Sequence, residues 1–274
     1  MSTMDLPCDV LAPHVIGTFP DTHVTTSGAA PSNAPTTLKR TVYVTDAKAV
    51  TPGVRTLNKA ATAQLLALID ANLGHFYQDY GSAIYPDLQG PSAEWRDCKV
   101  KEMHTAGLVY VVYHEPDDPA RTPVAFVSLL LTHEPEFTGN PLVLYVYEIH
   151  VTDSARGHGL GTWLMRDVLT RTMARLQKAF PGHPGFRGVE LTVFAANAPA
   201  IRFYLKRLRM SVAPWSAPVD FPAQTQLPPL NSRRTRSSIY HYQPPAAVKL
   251  QRRHSTPVYH ILFWSCEQAN SQAH

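Results

Sequence analysis

Apolar positions along the chain fall into two rhythms, and the switches between them mark out the elements. Leu65, Ile69, Leu73 and Phe76 recur at helical spacing, widened by Leu66 and Tyr77. That predicts an amphipathic helix of about twenty residues. The runs Leu108–Tyr113 and Val124–Leu131 are β-rich, and the longest, Leu142–Val151, leads into Arg156-Gly-His-Gly-Leu-Gly161. A helix follows, its face carrying Leu164, Val168, Met173 and Leu176, and then a strand over Val189–Phe194. Asn197 can cap a short helix after it, with Pro199 tolerated in the first turn. Strand, glycine turn, helix, strand, helix predicts an α/β arrangement in one domain over residues 39–243.

The flanks lose this rhythm. Residues 1–38 are rich in Pro, Ser, Thr, Ala and Gly, a composition that cannot bury enough surface to offset its ordering entropy, so disorder is expected. A Pro-rich insertion over about 214–237 is expected to be irregular, as is the tail over 244–274. Within that tail the apolar run Val258–Trp264 fits either an extra strand or a docking segment.

Composition mainly removes options. No apolar stretch reaches the ~18 residues needed to cross a bilayer, and the first twenty residues lack a basic start followed by an apolar core. Neither a membrane role nor secretory export is expected. Cys8, Cys98 and Cys266 stand far apart, and none of the 13 histidines forms an H-x-x-x-H or H-E-x-x-H pair, so no metal site is expected. The net charge of +4 gathers in Arg233, Arg234, Arg236, Lys249, Arg252 and Arg253, which read as a solvated tail rather than a nucleic-acid surface.

The chemical signal is Arg156-x-x-Gly159-x-Gly161 between a strand and a helix. Glycines let backbone approach a ligand, and a helix start offers unpaired N–H groups to a pyrophosphate. The spacing fits neither a dinucleotide-binding fingerprint nor a P-loop. It resembles the Q/R-x-x-G-x-G/A motif of the GNAT superfamily of acetyltransferases, in which backbone amides hold the pyrophosphate of acetyl-CoA. That resemblance implies a GNAT fold, with a central mixed, twisted sheet flanked by helices. It also implies acetyl-CoA as co-substrate. His150, Val151 and Thr152 would then meet the acetyl and pantetheine portion through main-chain groups. Arg156 and the run His158, Gly159, Leu160, Gly161, Thr162, Trp163 would hold the pyrophosphate, and Asn197 would contact the arm beyond the next strand.

Longer stretches narrow the resemblance. Leu144-Tyr-Val-Tyr-Glu-Ile149, Leu191-Thr-Val-Phe194, Ala200-x-x-Phe-Tyr204, Pro123-Val-Ala-Phe126, Glu94-Trp-Arg-Asp97 and Lys101-Glu-Met103 are similar to the N-terminal acetyltransferase D branch. That branch acetylates the α-amine of histones H4 and 2A, whose mature tails begin Ser-Gly-Arg-Gly. The resemblance implies histone tails as partners, a monomer, and a place in the nucleus and cytoplasm. It also implies an aromatic groove of Tyr77, Trp95, Tyr145 and Tyr147, with Glu134 facing the substrate's arginine and Thr192 and Ser216 bonding its first residues. Departures are present too. Thr132 stands where the branch has a second carboxylate, extra residues lie between Tyr77 and Trp95, and the closing strand aligns with Ser238–Tyr242, giving Tyr240 the place of a substrate-contacting tyrosine.

An α-amine of pKa roughly 7.7–8.0 needs only mild base help. Glu148 is the candidate base, acting through a water, with Tyr147 beside it and Tyr204 as the acid for the leaving thiolate. Strict alternation puts Tyr145 and Tyr147 on one face and Glu148 on the other, so the roles require a β-bulge in this strand. A backbone N–H near Ile149 or Val151 would face the carbonyl oxygen. Two alternatives stay open: acetylation of a lysine side chain or small amine, and an inactive module that binds CoA or peptide.

Overall fold

In the computed structural model, which describes residues 6–25, 36–46, 52–85, 94–217, 219 and 257–270, one mixed sheet organises the chain. Its strands are β1 (Thr22–Val24), β2 (Thr37–Val44), β3 (Val54–Thr56), β4 (Val109–His114), β5 (Ala125–His133), β6 (Leu142–Val151), β7 (Phe186–Phe194), β8 (Ser211–Val212) and β9 (Tyr259–Ser265). They run in the order β1-β2-β4-β5-β6-β7-β9-β8, with β3 paired to β2. The β2–β3 and β6–β7 pairs are parallel and the others antiparallel.

Helices cover both faces. On one side α1 (Cys8–Ile16) packs with a continuous helix that begins as α4 (Leu160–Thr162), winds in π fashion through Trp163–Val168 and ends as α5 (Leu169–Ala179). On the other lie α2 (Lys59–Ile84) and α3 (Trp95–Met103). Asn58 caps α2 by accepting a hydrogen bond from the Ala61 N–H at 2.9 Å. Two short helices, α6 (Ala198–Arg202) and α7 (Cys266–Asn270), complete the fold.

Two expectations are corrected. Residues 6–25 are folded: Leu11, Val15 and Phe19, four apart, are buried against the sheet, and Arg40 of β2 pairs with Asp21. Composition averaged over 1–38 hid that apolar spacing; residues 1–5 and 26–35 lie outside the described set. Val258–Trp264 resolves in favour of a strand, since β9 pairs with β7 along its whole length, from Gly188↔Ser265 to Phe194↔Tyr259. Ser238–Tyr242, including Tyr240, lies outside the described residues, and the strand beside β7 is β9. Among the described residues no helix is long and apolar enough to cross a membrane.

Candidate functional site

The site begins where two parallel strands part. Pairing of β6 with β7 runs from Leu142↔Phe186 to Val146↔Leu191 and stops, although β6 continues to Val151 and β7 to Phe194. The gap is the centre of a cavity of about 1360 Å³. On its other edge β6 pairs with β5, and the register slips there: Ser128 faces Glu148 but Leu129 faces Val146, leaving Tyr147 as an extra residue. This is the bulge that the roles required. It turns Glu148 and His150 towards α2 and α3, alongside Tyr145 and Tyr147. The Thr152 N–H is donated back to Val124 of the neighbouring segment, so alternation directs the Ile149 and Val151 N–H groups into the gap.

One end of the cavity is the glycine turn. Gly157 and Gly159 have φ of 82° and 80°, a conformation that side chains resist. The first helical bond after them joins Trp163 N–H to the Gly159 carbonyl, so the amides of Leu160, Gly161 and Thr162 precede the helical ladder. All three residues line the cavity, as do Val151, Arg156 and Asn197. Arg156 is also a brace: it donates to the Val151 carbonyl at 3.2 Å, to the Asn72 amide oxygen, and pairs with Asp153. Thr162 accepts from Arg207 at 2.8 Å, and Asn197 caps α6 through the Ala200 N–H at 3.2 Å. Thr152, His158 and Trp163 lie outside the cavity wall; Trp163 stacks on His23 at 3.6 Å, which fixes β1 onto the helix.

At the floor of the gap is a buried charged chain. Glu148, 8% exposed, is bound by Lys99 through one carboxylate oxygen and by His150 Nε2 at 2.6 Å through the other. Lys99, 2% exposed, also reaches Glu102 at 2.8 Å, and Glu102 accepts from the Tyr85 hydroxyl at 2.6 Å. Behind His150, Asn72 of α2 gives its amide hydrogens to His150 Nδ1 (3.1 Å) and the Val151 carbonyl (3.2 Å). With Nδ1 accepting, Nε2 carries the hydrogen towards Glu148. Burial would raise the Glu148 carboxyl, but the Lys99 charge and the His150 hydrogen bond outweigh it and hold it at about 2. Tyr204 also lines the cavity; burial, with the Glu148 charge, pushes its hydroxyl above its usual value, so it keeps its proton.

The opposite end is aromatic and acidic. Tyr77, Tyr145, Tyr147, Thr132, Glu134 and Thr192 line it, with Tyr145 and Thr192 hydroxyls 2.9 Å apart. Trp95 stands behind Tyr77, stacked at 4.6 Å, rather than in the wall. Ser216 is likewise behind the wall: its hydroxyl accepts the Ile261 N–H at 2.8 Å and donates to the Ala217 carbonyl at 3.0 Å, tying β9 down. Its neighbour Trp215 lines the cavity instead.

Sequence reasoning missed four participants. Lys99 had a readable signal, since Trp95, Lys99 and Met103 are spaced by four and form the buried face of α3. Asn72 sits on a helix already predicted, without a local cue. Glu190, 1% exposed, faces the cavity across the sheet from Tyr145. Tyr259 of β9 lines the cavity with its ring tilted against Phe194 at 4.8 Å.

Over 144 residues the chain is 37% identical to N-alpha-acetyltransferase 40 of Saccharomyces cerevisiae, covering 50% of this chain and 47% of that protein. The chain therefore spans about half the length of that relative. Similar solved structures include Arabidopsis thaliana NAA60 in complex with a bisubstrate analogue (18% identical, 71% of this chain, 92% of that one, TM-score 0.34). The same protein in complex with acetyl-CoA is 14% identical, with 72% and 94% covered and a TM-score of 0.34. The Acetyltransferase (GNAT) family matches residues 71–208, which hold the C-terminal half of α2, the bulged strand, the glycine turn and Tyr204. With half of its residues inside that match, the chain belongs to the GNAT acetyltransferase family, whose co-substrate is acetyl-CoA.

Proposed function

We propose that this protein transfers the acetyl group of acetyl-CoA to the α-amine of protein N-termini, with histone-type Ser-Gly-Arg-Gly starts as its substrates. The observation that carries the reading is the ionised Glu148 at the floor of the β6–β7 gap, between the glycine turn and the aromatic end. The residues fit the co-substrate: the amides of Leu160, Gly161 and Thr162 suit a pyrophosphate, and the Ile149 and Val151 N–H groups suit a carbonyl oxygen. Bound there, acetyl-CoA supplies a thioester open to attack by a neutral amine. Glu148 accepts the amine's proton through a water, and Tyr204 donates to the departing sulfur.

Amine basicity favours the α-amine. At pH 7.4 about a quarter of α-amines are neutral, against roughly one in a thousand lysine side chains. For the substrate's arginine, Glu134 (1% exposed) and Glu190 are buried carboxylates at the same end of the cavity, and Glu190 offsets the charge lost at Thr132. The test incubates acetyl-CoA with a lysine-containing peptide that begins Ser-Gly-Arg-Gly and with the same peptide blocked at its N-terminus. Acetylation of the free peptide alone supports the reading. Lysine modification of the blocked peptide at a comparable rate would transfer the assignment to lysine acetylation.

A further inference from the structure

Lys99 is a buried cation that none of the steps above uses. It sits in the middle of α3 on the face that also buries Trp95 and Met103, and it lines the cavity. Its ammonium bridges Glu102 of its own helix and Glu148 of β6. From α2 the Tyr77 ring lies 5.3 Å away, and from β6 the Tyr147 ring lies 5.7 Å away. Tyr85, through Glu102, and Tyr259 of β9 close the surroundings, and His150 and Tyr204 face Glu148 from its other sides. Lys99 is the cation paired directly with Glu148, while His150 contacts it through the Nε2 hydrogen of a ring whose Nδ1 is already accepting. A carboxylate this buried stays charged only with such a partner.

We propose that Lys99 is the positioning residue for proton transfer: it ties α3 to the bulged strand, aims Glu148 into the gap, and keeps that carboxylate ionised across the working pH range. The inference rests on Glu148 being the proton acceptor. It makes the substrate ammonium the group whose ionisation limits the rate below neutrality.

The experiment measures kcat/KM against pH for wild type, Lys99→Gln and Lys99→Arg, with whichever amine substrate the wild type accepts. A wild type that acetylates no α-amine peptide would count against the proposed substrate before any variant is made. In the wild type, log kcat/KM should fall with slope one below pH 7, from the amine alone. Lys99→Gln keeps a hydrogen-bond donor but removes the charge, so Glu148 should titrate in the accessible range. Its slope should approach two, with a loss of roughly tenfold to a hundredfold at pH 7. Lys99→Arg keeps the charge and should retain slope one. A folded Lys99→Gln whose profile runs parallel to wild type would overturn the proposal, leaving Lys99 a packing residue. Should Lys99→Gln fail to fold, Lys99→Arg decides: slope one with a rate within about tenfold of wild type supports the role, and slope two overturns it.

Discussion

Against α1 and α5 the sheet presents Val127, Leu129, Leu144, Val146 and Val189, and the buried hydroxyls there, Thr18 and Thr172, meet each other at 2.7 Å. Against α2 and α3 the same strands present Glu148, His150 and Glu190, with Lys99 reaching in from the helix. The first face is built almost wholly of apolar side chains. The other buries ionised groups that cost stability unless each is paired. The division shows where each property resides: the apolar face sets how firmly the sheet is held, and the charged face sets what the gap can do.

Substitutions on the two faces should therefore separate rate from stability. Glu148→Gln removes the proton acceptor at nearly constant shape and should lower kcat/KM by about 10²–10⁴-fold in a steady-state assay. The melting temperature should fall by only a few degrees, since Lys99 keeps Glu102 as its partner. On the apolar face, Leu176→Ala should destabilise the protein by about 2–5 kcal/mol in urea titration, leaving kcat below the transition intact.

Legibility in the sequence divides along the same line. The apolar face announced itself through spacing: Leu164, Val168, Met173 and Leu176 sit where the helical period put them. The glycine turn was readable from Gly159 and Gly161 between strand and helix, and of the two the backbone demands glycine at Gly159. The charged face was readable only in part. Glu148 was found beside its tyrosines, and the bulge was inferred from the conflict it resolves. Lys99 was missed although it stands four residues from both Trp95 and Met103 on the buried face of α3. β9 was recognised as apolar yet went unplaced, because its partner β7 lies more than sixty residues earlier and no local pattern encodes that pairing. Tyr240, given a closing-strand place by the sequence, lies outside the described residues.

Smaller effects sharpen the comparison within the charged face. Glu134→Gln should raise KM for an arginine-containing peptide about tenfold to a hundredfold, the range of a charge-assisted contact. A matching Arg→Ala change in the peptide should cause little further loss on that variant, whereas additive losses would show that the two do not meet. The smallest effect is on acid stability. The folded Glu148 carboxyl lies below its ordinary 4.5, at about 2. Its contribution is fully present above about pH 4.5 and is lost as pH falls towards 2. Glu148→Gln should flatten the acid limb of melting temperature against pH by roughly a few degrees, readable by calorimetry.

The central claim is that the charged face holds a carboxylate already ionised, so that the substrate's own ammonium governs the pH dependence. The direct measurement is kcat/KM against pH with two Ser-Gly-Arg-Gly peptides whose α-amines differ in pKa, one lowered by a fluorinated first residue. The account predicts that the acid limb moves with the amine, by the full difference between the two peptides. A limb that stays at one pH for both would belong to the enzyme, and would contradict an acceptor held ionised by Lys99 and His150.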